Sequence, residues 1–158
     1  MAVSSNKVAR EILALAQADA RPVTPLELIK LTYLAHGWSL GLDEKPLVAE
    51  SPEAWQYGPV FPDLYHSLKH FRANPVDSVP LGDDEADDKL TAEEMRIIRS
   101  VYKSYKKYNG VQLSAMTHQP GTPWDRARKR RAGSQILDDS IRDHFRELAV
   151  KRNVRPKG

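Results

Sequence analysis

Glu53-Ala54-Trp55-Gln56-Tyr57-Gly58-Pro59-Val60-Phe61-Pro62 turns extended chain into helix within ten residues. Trp55 and Tyr57 stand two apart and project from the same face of a strand, while Gly58 and Pro59 are expected to end the ladder and begin a turn. Beyond the turn, Phe61, Leu64, Leu68 and Phe71 recur at spacings of three, four and three, one face of an α-helix. Pro62 suits its first turn, where the missing N–H is not needed. A hairpin is thus joined directly to a helix, and the hydrophobic core is expected to close over the join.

Outward from this join, the flanking sequence reads as helix. Thr24-Pro25-Leu26-Glu27 is a capping box: the Thr24 hydroxyl accepts from an amide of the first turn, and Glu27 reaches back to the Thr24 N–H. From there Leu28, Leu31, Ala35 and Trp38 line one face and Ile29, Tyr33 and Leu40 an adjacent one. That apolar arc is too wide for a surface helix, so this helix is expected at the centre. A first helix over about 5–20 precedes it, with Val8, Ile12 and Leu15 inward and Ser4 or Ser5 as its cap. Strands are expected at Leu47-Val48-Ala49 and Ala54-Trp55-Gln56-Tyr57, giving one small β-hairpin near residues 47–57, and a third helix runs from Pro62 to about Arg72.

A surface linker over 73–90 follows, with Pro75, Pro80, Gly82 and an acidic run. Thr91-Ala92-Glu93-Glu94 is a second capping box, and Met95, Ile98 and Tyr105 give the next helix its inward stripe. Asn109-Gly110 is read as its left-handed stop. A short helix over about 111–117, a restart at Thr122-Pro123-Trp124-Asp125 and a last helix over about 138–151 with Ile141, Phe145 and Leu148 inward complete the chain. The expected fold is mostly α, a bundle of six to seven helices in one domain over 1–158, with a flexible tail at 153–158.

Composition narrows the chemistry. The 158 residues include no cysteine, which excludes disulfides and thiolate catalysis. With neither a secretory signal pattern nor an apolar run of membrane-spanning length, a cytoplasmic protein is expected. The net charge of +3 hides segregation: five acids lie within Asp83–Asp88 and five bases within Arg126–Arg131. The basic run offers a nucleic-acid-binding alternative, opposed by the acidic run and by a second helix that begins with apolar rather than base-reading residues.

Asp63, His66 and His70 share a spacing that suits metal ligands, but their face is turned about 150° from the apolar stripe, toward water. Ser114, His118 and Asp125 permit the sketch of a hydrolase, yet no nucleophile elbow, phosphate loop or zinc-binding helix occurs. Neither a catalytic residue, a metal nor another cofactor is therefore assigned. The surplus lies in aromatics: Trp38, Trp55, Tyr57 and Tyr65, with Tyr33, Tyr102, Tyr105, Tyr108 and Trp124, exceed what one small core must hide, and such rings anchor protein interfaces.

Three blocks, Lys30-Leu31-Thr32-Tyr33-Leu34-Ala35-His36-Gly37-Trp38, Ala54 through Tyr65, and Leu113-Ser114-Ala115-Met116-Thr117-His118 with Thr122-Pro123-Trp124, resemble in content and order the Panacea domain of SocA-like antitoxins. The resemblance spans about residues 5–130. It implies a mostly helical, non-enzymatic protein of bacteria or their prophages that neutralises the toxin encoded beside it by direct binding. In the SocA-like branch it also implies handing that toxin to the ClpXP protease as an adaptor. Tyr33, Gly58, Pro59, His118, Pro123 and Trp124 are expected to fix the fold, and Trp38, Trp55, Tyr57, Tyr65, Arg128, Arg130 and Arg131 to meet the partner.

Overall fold

In the computed structural model, which describes residues 2–82, 85 and 89–154, the helix that begins at the first capping box is the central one. This helix, here α2 (Pro25–Asp43), has both halves of its box in place: Thr24 Oγ1 accepts from Glu27 N at 3.3 Å and Glu27 Oε1 from Thr24 N at 3.0 Å. Every residue from Leu28 to Gly41 is buried, polar ones included. Around it pack α1 (Ser5–Ala18), α4 (Ala92–Tyr105), α5 (Gly110–Thr117) and α7 (Asp138–Lys151). The approach to α7 is the tightest, because Gly37 and Gly41 carry no Cβ: one built at Gly37 would lie 2.2 Å from the Phe145 ring. Two shorter helices, α3 (Pro62–Leu68) and α6 (Pro123–Arg130), bring the α-helices among the described residues to seven.

Several buried polar groups on α2 find partners within the protein. His36, fully buried, accepts from Val48 N at Nδ1 (3.1 Å), so its other nitrogen carries the proton and donates to Asp138 (3.2 Å). Thr32 donates to the Leu28 carbonyl, and Trp38 Nε1 to the Tyr105 hydroxyl at 3.0 Å.

The hairpin exists, but one step further along the chain than expected. Its strands are β1 (Glu53–Trp55) and β2 (Gly58–Val60), antiparallel, with Trp55 opposite Gly58, Ala54 opposite Pro59 and Glu53 opposite Val60. Gln56 and Tyr57 make the turn, and Gly58 takes a φ of +121° that side-chain-bearing residues rarely adopt. Pro59 does not end the ladder, because Ala54 and Pro59 form a pair whose backbone groups point away from each other. The Ala54 N–H and carbonyl bond to Ser134 O and Gly133 N, both at 2.9 Å, and the Pro59 carbonyl accepts from Lys30. No ladder donor is missing where the proline sits. Val48, expected in the first strand, instead bridges in parallel to Val3.

Other boundaries moved for local reasons. α3 stops at Leu68 and the chain continues as a 3-10 turn, Lys69–Phe71, before Arg72 takes a φ of 57°. Asn109 and Gly110 do not close α4, which ends at Tyr105; Asn109 caps α5, accepting from Gln112 N, and Gly110 is that helix's first residue. A Cβ at Gly110 would press on Leu26 at 3.0 Å, so glycine is set by packing there rather than by a left-handed cap. The expected surface linker is strapped down: Val76 and Val79 are buried, Val76 N donates to Val23 O, and Gln17 and Asn6 of α1 donate to the carbonyls of Asp77 and Pro80. Of the acidic run only Glu85 lies within the described residues, accepting from the Ser4 hydroxyl. The tail expected at 153–158 lies outside them from residue 155.

Candidate partner-binding face

The turn of the hairpin and the outer side of α3 carry three aromatic side chains together. Tyr57, at the turn, is 68% exposed and Tyr65, on α3, 36%. Half-buried Trp55 stands edge-to-face against Tyr65 with centroids 5.0 Å apart, and its Nε1 donates to Glu53 at 2.9 Å. Trp55 and Tyr65 thus hold each other, and Tyr57 projects from the turn beside them, giving one corner of the kind that serves as a platform for another surface.

That corner is braced from below by α6. Trp124, which follows Pro123 at the start of the helix, donates from Nε1 to the Trp55 carbonyl at 2.6 Å. Arg128, one turn on, lies 5.6 Å from the Trp124 ring centroid and donates to Ala54 O at 3.4 Å. His118 stands edge-to-face with Trp124, centroids 5.3 Å apart, and donates to the Ser114 carbonyl. Ser114 in turn donates to the Tyr57 carbonyl, tying the turn to α5. Of the residues expected to meet a partner, Arg128 is therefore spent on the fold. Arg130 and Arg131 are exposed at the helix end, Arg130 bonding the Gln135 carbonyl at 2.9 Å.

Trp38 does not join this face. It is 7% exposed, packed against Phe145 at 5.3 Å and under Arg152 at 5.8 Å, so it serves the core and not the surface expected for it. Tyr33 is also core, edge-on to Phe145. Burial pushes its phenol well above the ordinary range, and its hydroxyl has no hydrogen-bond partner among the described residues.

Lys30 is the residue that the motifs did not single out. Fully buried, its ammonium donates to the Pro59 carbonyl at 2.9 Å, with no carboxylate beside it among the described residues, and burial pushes its pKa down to about 7. A Cβ on Gly58 would sit 2.9 Å from this ammonium and 3.3 Å from Thr117 Oγ1. Glycine at 58, Pro59 and Lys30 thus form one unit: the lysine caps the free carbonyl of β2 and needs the missing side chain to reach it. The signal was available, since an apolar arc covering both sides of α2 leaves no watery side for a lysine between Ile29 and Leu31.

The hydrolase sketch assembles only in part: Ser114 Oγ lies 3.4 Å from His118 Nδ1, but Asp125 is engaged elsewhere. His118 is committed to a carbonyl, Ser114 to another, and Asp125 accepts from Gly121 N at 2.8 Å and pairs with Lys129 at 3.2 Å. Those contacts, the Gly121 amide first, hold the Asp125 carboxyl below the usual range. Asp63, His66 and His70 do not share a helical face either, because the helix gives way to a 3-10 turn before His70, which packs on Phe71 at 4.1 Å. No helix among the described residues is long and apolar enough to cross a membrane.

Comparison with known proteins agrees with the region built here. The family described as Antitoxin SocA-like, Panacea domain, matches residues 28–125, from the buried core of α2 to the start of α6. A relative named Antitoxin SocA, from Caulobacter vibrioides (strain NA1000 / CB15N), is 31% identical over 172 aligned residues, covering 98% of this chain and 88% of the relative. No solved structure matches.

Proposed function

The chain belongs to the SocA-like, Panacea-domain family of antitoxins, and from that premise we propose that it neutralises a toxin by direct protein–protein binding through the corner formed by Trp55, Tyr57 and Tyr65. The observation that carries this reading is the exposure of Tyr57 and Tyr65 on a frame fixed at four points, from Ser114, Trp124, Lys30 and Ser134. The Trp55–Tyr65 pair, held edge-to-face, loses little conformational freedom on binding, and the turn that carries Tyr57 is fixed through its backbone, so their burial converts efficiently into affinity. The protein acts as a binder and not an enzyme, and works in the cytoplasm.

Delivery of the toxin to ClpXP is the second step implied by the resemblance to SocA-like proteins. A pull-down of the product of the neighbouring gene, repeated with ClpXP and ATP, tests both steps. Capture followed by loss of the captured protein supports delivery; capture without loss supports inhibition by occlusion alone. No capture overturns the antitoxin reading for that neighbour.

A further inference from the structure

Between the start of α2, the hairpin turn and α3 runs a groove of about 470 Å³. Buried Ile29 gives it an apolar base, Trp55 and Tyr65 supply ring surface, and exposed Lys69 and Arg72 line it where α3 ends. Among the described residues no aspartate or glutamate lines the groove; the two exposed charged side chains that do, Lys69 and Arg72, are both basic, while Lys30 lies buried at its base with its charged form disfavoured. Lys69 and Arg72 enter no ion pair among the described residues.

Uncompensated charge of one sign along a low-dielectric wall focuses a field that favours the opposite sign. An occupant must therefore bring carboxylates for Lys69 and Arg72 and an apolar side chain for Ile29 and the rings. A groove of this volume lies in the range that buries compact ligands and side-chain clusters. A nucleic-acid strand offers anions and stackable bases but no aliphatic group for Ile29. We infer that this groove docks an acidic peptide segment of the partner, in which aspartate or glutamate flanks a bulky apolar residue. The inference rests on the antitoxin reading for the partner's identity and adds where it is held and by what chemistry.

Two arms separate the claims. In the first, random heptapeptides displayed on phage are selected on the full-length protein, and enriched sequences are measured by fluorescence anisotropy against wild type, the double variant Lys69→Glu/Arg72→Glu, and Tyr65→Ala. Acidic sequences around an apolar residue are expected, with Kd raised at least tenfold by each variant and by moderate salt, while the thermal midpoint of the double variant is unchanged. Failure to enrich peptides, enrichment without acids, an unchanged Kd in the double variant, or tighter binding of a single-stranded oligonucleotide overturns the inference. In the second arm, the neighbouring gene's product is titrated with wild type and the double variant. Equal binding to both overturns the groove and leaves the antitoxin reading standing; binding to neither overturns the antitoxin reading for that neighbour, and the peptide arm then decides the groove alone.

Discussion

Lys30 is where the physical account is most exposed to test. Its folded pKa is near 7 because burial disfavours the charged form, whereas the unfolded chain restores it to about 10.5. Between those values the unfolded state binds more protons, so this residue makes stability rise with pH, by at most about 1.4 kcal/mol per unit. Below pH 7 the full penalty remains. Replacing it by Lys30→Met removes a penalty of a few kcal/mol and leaves the Pro59 carbonyl unbonded, at roughly 1–3 kcal/mol. The variant is therefore expected to be more stable than wild type at pH 6, with the advantage shrinking toward pH 10. Urea midpoints at pH 6, 8 and 10 check this, and a difference independent of pH contradicts it. Gly58→Ala should be destabilising by about 1–3 kcal/mol, from a positive φ and crowding of the same ammonium. Tyr33→Phe, which removes a hydroxyl that bonds no group among the described residues but lines a cavity with Met116 and Gln119 rather than being sealed in the core, should leave the melting temperature nearly unchanged.

At the scale of elements, the long-periodicity features were legible and the short ones were not. α2 declared itself through its capping box and an apolar arc wider than a surface helix tolerates, and α7 runs over the residues its stripe outlined. The hairpin's existence was readable, but its register depended on where Ala54 and Pro59 send their backbone groups. Those partners, Gly133, Ser134 and Lys30, are distant in sequence. The same non-locality explains Asn109-Gly110: a glycine after a helix looks like its stop until Leu26 is seen pressing on it. It also hid which motif aromatics were outside, because periodicity alone puts Trp38 and Tyr65 equally on helices, while Tyr105 and Arg152 bury one of them. One consequence concerns the brace beneath the hairpin. Trp124→Phe keeps an aromatic against His118 but loses the bond to the Trp55 carbonyl, and should lower stability by about 1 kcal/mol. Amide exchange at residues 53–60 should accelerate more than exchange in α2; uniform acceleration would contradict a brace specific to the hairpin.

For the whole molecule, the charges are arranged so that the two faces of the hairpin differ. On the α6 side, much of the basic run is consumed internally: Arg128 supports Trp124, Lys129 pairs with Asp125, and Arg130 bonds Gln135 O. On the α3 side, Lys69 and Arg72 have no ion pair among the described residues and stand beside an apolar base. The basic run thus has internal partners, whereas Lys69 and Arg72 are the charges that the proposed protein-binding corner draws on. The same frame that buries Lys30, Trp38 and Tyr33 leaves Tyr57 and Tyr65 outside, so the proposed binding is separable from stability by mutation. The most direct test is the affinity of the neighbouring gene's product for wild type and for Tyr57→Ala, a side chain 68% exposed, with unfolding measured alongside. The predicted result is at least tenfold weaker binding at unchanged stability; tight binding that ignores Tyr57→Ala and Tyr65→Ala alike would contradict the placement of the toxin on this corner.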